Sequence, residues 1–387
     1  MNINSIIDRI LPEVIEYRHQ IHANPELAGN EFDTSKLVRQ ILSKTAIELE
    51  KPYLETDVVG LLNGDKEGKC VGLRADMDAL PLQELNDLPY KSRKDGVMHA
   101  CGHDGNTAML LGAALVLDEI KDQLKGSVKF VFQPGEEVVA LGKKLVEAGA
   151  LENPKPDAVF ALHGSSGHPT GAICSRVGAI MAAAGFFKIR IIGRGGHCSK
   201  PETCIDPIVI GCQIVNNLQT IVSRHFGPQD ATCLSICRFS GGENSNVIPE
   251  DVILEGSTRF LDYEIGKQFP ELIEKVIKGV CDSYGAKYEF DYELPYIPTV
   301  NSAEHVETAK EFATEYLGQD LWVELPLSSM GGEDFSYYLR ECGGAFCDIG
   351  MGEDHPAIHN PMFDFNDDAL RNGIAFMVNM VLRTMEK

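Results

Sequence analysis

Cations are scarce in this chain. Against 57 Asp and Glu residues stand 35 Lys and Arg, a formal net charge of −22 over 387 residues. That balance argues against nucleic acid, whose phosphates must be neutralised by Lys and Arg, and against an anionic membrane surface. It leaves room for an anionic small substrate, because a few local cations outweigh a global field. Long hydrophobic runs are missing too: no apolar stretch reaches the length that spans a bilayer. The opening MNINSIIDRILPEVIEYRHQ carries charges inside its apolar stretch and fits an amphipathic helix rather than a signal peptide. There is no fixed-period repeat and no low-complexity segment. The eleven cysteines are odd in number and follow no framework spacing. Without a secretion signal they predict free thiols in a reducing cytoplasm, most of them small buried hydrophobes.

What is present is an ordinary globular composition, 44% hydrophobic and 24% charged, in a chain long enough for two domains. From residue 1 to 183 helix and strand patterns alternate. An amphipathic helix over about Ile6 to His22 is followed by the apolar runs CVGLRAD, SVKFVFQP and DAVFALHG. Between the first two runs lies an Ala- and Leu-rich helix, GNTAMLLGAALVLDEI, with Asp104 placed to cap it. Short apolar runs separated by helices predict a mostly parallel sheet flanked by helices. Over 184–295 the order becomes β-α-β-β-α-β, that of a small ferredoxin-like α+β sandwich. Its first helix begins at Asp206-Pro207 and its second ends at Gly285. Helix and strand then alternate again over 296–387. The predicted architecture is an α/β catalytic domain, built from 1–183 and 296–387, with an inserted sandwich domain.

Four clusters carry chemistry. In MHACGHDGN, Cys101 and His103 stand two apart just before a helix, as two ligands of one ion or as a buried thiol beside a helix-start histidine. In FQPGEE, Pro134 and Gly135 end a strand and leave Glu136 and Glu137 at its tip. Adjacent carboxylates point apart, which suits one as metal ligand and the other as general base; a solvated acidic loop is the plainer reading. His163 closes DAVFALHG, where a satisfied core histidine is equally usual. His355 and His359 share the loop EDHPAIHNPMFDF. Together they say more. The strand ending in Glu136 and Glu137, the strand ending in His163 and the turn after GLRADMD all present polar groups where apolar strands finish, and open α/β sheets bind ligands there. Cys, His and Glu form a donor set for a borderline metal.

In order, GLRADMDALP, MHACGHDGN, FQPGEE, ALHG, GRGGH, MGGEDFSYYL and AIHNPMFDFND resemble the aminoacylase-type co-catalytic metallopeptidase superfamily. The nearest branch is that of hippurate hydrolases, N-acyl-amino-acid amidohydrolases and indole-acetyl-amino-acid hydrolases. The motifs run from RHQIHANPEL, at about residue 18, to about residue 366. The resemblance implies a metal-dependent amidohydrolase with two divalent ions per chain: zinc, manganese, cobalt or nickel. It implies Cys101, His103, Glu137, His163 and His359 as ligands, and Glu136 as the base that takes a proton from the attacking water. His197 would polarise the scissile carbonyl, often from a partner subunit, and Asn246 and Arg259 would hold the substrate carboxylate. Asp76 and Asp78 of RADMD would orient ligands; alone they read as a turn with an Asp cap. On their own, His197 and Arg259 read as surface residues.

The chain departs from the branch at Asn106, where a second histidine is usual, at Glu202, where histidine is frequent, and after Glu137, where VVALGKKLVEAG lacks a glycine run. The expected substrate is an N-acyl amino acid or a related small amide. Hydrolysis of a true peptide bond, as by a dipeptidase or carboxypeptidase, is the alternative, and a silent binding protein on the same scaffold a further one. A homodimer through the inserted domain is expected. Its helix DPIVIGCQIVNNLQTIV is apolar over much of its circumference, and a free sheet edge is a pairing surface.

Overall fold

The three apolar runs CVGLRAD, SVKFVFQP and DAVFALHG lie side by side as strands Lys66–Asp76, Lys125–Gln133 and Ala158–Ser165. Their Val, Phe and Leu side chains are buried on both faces, as expected of strands at the centre of a covered parallel sheet. The structure is a computed structural model, and it describes residues 2–137 and 140–387. It separates into two compact units: Met1–Ile180 with Thr299–Leu327 and Asp334–Lys387, and Met181–Pro298 with Ser328–Glu333.

In the first unit eight of the described strands form a mixed sheet. The order is Glu48–Leu49, Val58–Asn63, Lys125–Gln133, Lys66–Asp76, Ala158–Ser165, Gly344–Gly350, Ile173–Ser175 and Trp322–Glu324. The four strands from Lys125–Gln133 to Gly344–Gly350 are mutually parallel. The Ala- and Leu-rich helix is His103–Glu119, buried along nearly its whole length, because its residues are apolar on all sides. It packs against Ile3–Ala23 and Asp367–Glu386. Gly105 permits close approach: a Cβ there would lie 2.2 Å from the Phe365 ring.

The expected cap of this helix is not the one observed. Gly102, at φ +86°, occupies the N-cap position, and Asp104 lies inside the first turn. The Asp104 carboxylate instead accepts from Arg18 Nη1 at 3.0 Å and lies 2.9 Å from His22 Nδ1, all three side chains being fully buried. A buried carboxylate needs a charged partner more than a helix end needs a cap, since desolvating it alone is the larger cost.

The second unit holds four antiparallel strands in the order Thr232–Ser240, Asp251–Phe260, Ala183–Ile192 and Lys287–Tyr296. With helices Pro207–Arg224 and Phe269–Tyr284 this is the ferredoxin-like sandwich. Strand Asp251–Phe260 alternates strictly, its Val252, Leu254 and Phe260 turned into the core. The Asp206 carboxylate caps the first helix by accepting the Ile208 and Val209 amides, and Gly285 ends the second at φ +70°. The first helix buries Ile210, Ile214, Leu218 and Ile221 as one stripe on its own sheet. That accounts for most of the apolar circumference read from the sequence, and leaves Ile208 and Val209 exposed.

Candidate metal centre

Parallel register decides where the candidate residues meet. Asp76 stands opposite Gln133, and Asp348 opposite His163. The carboxyl ends of the central strands therefore share one edge of the sheet. From Asp76 the chain turns into Met77 and Asp78; from Gln133 it passes Pro134 and Gly135, at φ +61°, into Glu136 and Glu137. His163 lies near the end of Ala158–Ser165. After Gly350 the chain runs to His359, which adopts φ +62° while its amide donates to the Ala100 carbonyl at 2.7 Å.

Six residues named from the sequence come together here. Cys101, His103 and His163 each offer a donor atom within 4.8 Å of the other two; so do Cys101, Glu137 and His359, and His103, Glu136 and Glu137. The first two sets share Cys101. His355, in the same loop as His359, belongs to none of them: its Nδ1 donates to the Pro356 carbonyl, and its ring meets Phe363 edge-on.

The two buried histidines are held in one tautomer. His103 Nδ1–H donates to the Asp78 carbonyl at 2.9 Å, and His163 Nδ1–H to the Gly164 carbonyl at 2.9 Å. A carbonyl only accepts, so each neutral ring presents a lone pair on Nε2. His163 Nε2 lies 3.5 Å from Cys101 Sγ. His103 Nε2 is buried without a hydrogen-bond partner. It lies 3.8 Å from Asp76 Oδ2. A histidine tied through Nδ1, with Nε2 turned toward other donor groups, is the arrangement that presents a ligand to a metal.

The electrostatics favour a cation in the same place. Burial works against the Asp76 carboxylate, but His103, Arg74 and His163 outweigh it and hold it well below the usual carboxylate range. Burial would lower His103, yet Asp76 and Asp78 push it up to about 10. Burial, together with Glu137 and Glu136, drives the Cys101 thiol well above its ordinary value. A pocket that raises both an imidazole and a thiol is rich in negative charge, and a divalent ion would offset that charge and favour the thiolate. For Glu137 burial is again outweighed, first by His359, whose Nε2 lies 3.1 Å from Oε1, so the acid sits below its ordinary value. The same hydrogen bond raises His359.

The residues around the cluster hold it in place. Asp78 accepts the Glu136 amide on Oδ1 and the Glu137 amide on Oδ2, both at 3.0 Å. Arg74 donates to Asp76 at 2.7 Å and to Asp334 at 2.9 Å. Gln133 Nε2 also donates to Asp334. Asn106, one of the departures, is buried; it donates to Asp76 Oδ1 at 2.8 Å and accepts the Gly164 amide at 3.3 Å. An amide does here what one neutral histidine ring cannot, since it donates and accepts on the same side. Arg74, Gln133, Asn106 and Asp334 stand within motifs noted in the sequence, but nothing in their spacing reveals these partners. Of the segment after Glu137, Val138 and Val139 lie outside the described residues.

The other candidates lie in the second unit. His197 and Asn246 are exposed neighbours: Val247 pairs with His197, and Cys198 donates to the Asn246 carbonyl. The Ser199 amide donates to His197 Nδ1 at 3.2 Å, so the neutral ring carries its proton on Nε2. Arg259 stands on another strand, opposite Ala184, with its guanidinium over the Phe186 ring. Glu202 is exposed in the short turn Pro201–Thr203.

Known proteins match this arrangement along almost its full length. An N-acetylcysteine deacetylase of Bacillus subtilis is 36% identical over 96% of this chain and 97% of its own. A thermostable carboxypeptidase of Saccharolobus solfataricus is 39% identical over 93% and 92%. An IAA-amino acid hydrolase of Arabidopsis thaliana is 39% identical over 96% and 85%. Among solved structures, a dinuclear metal binding peptidase from Bacillus subtilis superposes with a TM-score of 0.86 at 33% identity, covering 98% of this chain and 99% of that one. The profile of peptidase family M20/M25/M40 matches residues 72–383, a span that begins in the central strand and includes every donor described above. The chain therefore belongs to peptidase family M20/M25/M40 and is a metal-dependent hydrolase of amide bonds.

Proposed function

We propose that the protein hydrolyses N-acyl amino acids, with two divalent ions held by Cys101, His103, Glu137, His163 and His359. The observation that carries this reading is the pair of donor sets meeting at Cys101, beside a buried His103 Nε2 that makes no hydrogen bond and lies 3.8 Å from Asp76 Oδ2. The donor set suits zinc, manganese, cobalt or nickel. When bound, such ions supply Lewis acidity toward the amide carbonyl and the attacking water. The substrate class is supported by two relatives whose names specify N-acyl amino acids. The carboxypeptidase relative supports a peptide bond as the second reading.

The protein's own groups divide the remaining work. Glu136 takes the proton of the attacking water and passes it to the leaving nitrogen. Its amide is tied to Asp78 and its donor atom lies beside His103 and Glu137, so the carboxylate is held near the chemistry without being needed as a ligand. His197, with Nε2 protonated, donates to the developing oxyanion. Arg259, braced by Ser257 Oγ and the Thr258 carbonyl at 3.0 Å each, and Asn246 receive the substrate carboxylate. The exposed Leu85, Ile358 and Met362, on or bonded to the segment that carries His359, favour an apolar acyl group.

In this reading the first unit is the catalytic domain and the second a lid and dimerisation domain. Its outer strands Thr232–Ser240 and Lys287–Tyr296 and the exposed Ile208 and Val209 are surfaces on which a second copy can pair. Eleven free cysteines support a cytoplasmic location; no helix among the described residues is long and apolar enough to cross a membrane. The deciding experiment is metal analysis of purified protein followed by assays on N-acetyl, N-benzoyl and dipeptide substrates. Turnover confined to dipeptides would overturn the substrate class, and wild-type turnover in Glu136→Gln would overturn the mechanism.

A further inference from the structure

We infer that Glu31 is a positioning residue for the acidic turn, its carboxylate pinning the Gly135 amide so that Glu136 and Glu137 leave the sheet in a fixed direction. This rests on the reading of Glu136 as the base. Glu31 lies more than a hundred residues away in the sequence and is fully buried. It precedes helix Phe32–Leu42 but its side chain makes no capping bond to that helix. Instead Oε1 accepts the Gly29 amide at 2.8 Å and the Gly135 amide at 2.9 Å, while Oε2 accepts the Thr56 hydroxyl at 2.9 Å. Burial raises its carboxyl to about 6 against these bonds, so the position carries a cost that an apolar residue would avoid.

Gly135 is the joint that makes this pin matter. With φ +61° and no side chain, it connects strand Lys125–Gln133 to the two acids, and a rotation there swings both carboxylates. Asp78 holds the two amides beyond the joint, at 3.0 Å each. The joint itself is held on its carbonyl by the Leu141 amide at 3.0 Å and on its amide by Glu31. Three successive amides, of Gly135, Glu136 and Glu137, thus end on two buried carboxylates, one of which touches no member of the donor sets. Releasing the joint displaces the base rather than removing it, and a shift of about 1 Å costs about a hundredfold in rate.

The test compares Glu31→Ala with Glu31→Gln in the full-length protein. Glutamine keeps an oxygen for both amides and can donate to the Thr56 hydroxyl. In the metal-free protein, hydrogen–deuterium exchange of a peptide covering 133–137 should quicken at Gly135 in the alanine variant and stay slow in the glutamine variant. In the metal-loaded enzyme kcat should fall about a hundredfold for alanine with KM within about threefold, and glutamine should restore most of it. Unchanged exchange in Glu31→Ala overturns the clamp. Faster exchange with unchanged kcat overturns the positioning role, as does a loss that glutamine fails to restore. If Glu136→Gln keeps full turnover, the base reading fails with the exchange result still standing, so the two failures are distinguishable.

Discussion

In the first unit Asp76, Asp78 and His103 are each at most 1% exposed, and each is hydrogen-bonded to a neighbouring element: Asp76 to Asn106, Asp78 to the Glu136 amide and His103 to the Asp78 carbonyl. In the second unit His197 and Asn246 lie open to solvent, His197 on a two-stranded ribbon and Asn246 in the turn that leads into it. The contrast separates two ways of building a site. Buried donors are fixed before any ligand arrives, because water is excluded and each misplaced polar atom costs free energy. Exposed donors are cheap to move, and their contribution depends on what is brought to them. Ion binding and proton transfer suit the first arrangement; gripping a substrate that enters and leaves suits the second.

The comparison is broken most directly at Glu136. Glu136→Gln should retain its metal, since Glu137 and the four other proposed ligands remain, and lose about two to four orders of magnitude in kcat. Metal content by mass spectrometry and steady-state kinetics check both halves; a protein that lost its metal as well would make Glu136 a ligand. His197→Ala, in the exposed unit, should cost about two to three orders of magnitude as the loss of one oxyanion donor, with metal content unchanged. If the exposed unit lends His197 to a partner's site, mixing Glu136→Gln with His197→Ala chains should recover part of the lost activity, each mixed dimer holding one intact site. Recovery absent from a mixture shown by native mass spectrometry to exchange subunits confines His197 to its own chain.

Cys101 tests burial against coordination. A metal-held thiolate should resist alkylation in the holoprotein and become reactive once a chelator removes the ion. The exposed Cys198, Cys233 and Cys237 of the second unit should react alike in both states. Equal labelling of Cys101 with and without chelator would remove it from the ligand set.

The smallest effect concerns stability, and it separates the units again. Burial would lower His22, but Asp104, then Glu84, raise it to about 9. A histidine whose folded pKa is raised contributes stability that is fully present below its unfolded value of about 6.5 and is lost as pH rises through about 9. The contribution is at most about 3 kcal/mol. Denaturant unfolding between pH 6.5 and pH 9.5 should show this loss in the first unit, and His22→Gln should flatten it. A pH slope unaltered by that substitution would assign the dependence to another group.

Much of the fold was legible because its signals are local. Strand Asp251–Phe260 alternates, helix His103–Glu119 is apolar from Ala108 to Leu117, and Asp206-Pro207 and Gly285 mark helix ends. Most donor residues were legible for a related reason: Glu136, Glu137 and His163 stand at the end of an apolar strand, and Cys101 and His103 at the start of a helix, whereas His359 lies in a loop. Asp104 was misread as a cap because capping is judged from neighbours in the chain, whereas its partner Arg18 approaches from another helix. Glu31 gave no signal at all, since nothing between Thr56 and Gly135 marks them as its partners.

Which segments become strands and helices, how the sandwich is ordered, and which carboxylates and imidazole stand at strand ends can all be read from the chain alone. Hydrophobic period and turn chemistry act over a few residues, and these features need nothing more. That Cys101 serves two donor sets, that Asp78 takes two successive amides and that Asn106 joins Asp76 to Gly164 emerges from folding across the whole chain. These depend on parallel register between strands far apart in the chain. A polar group buried at such a meeting point takes whichever partner the register supplies.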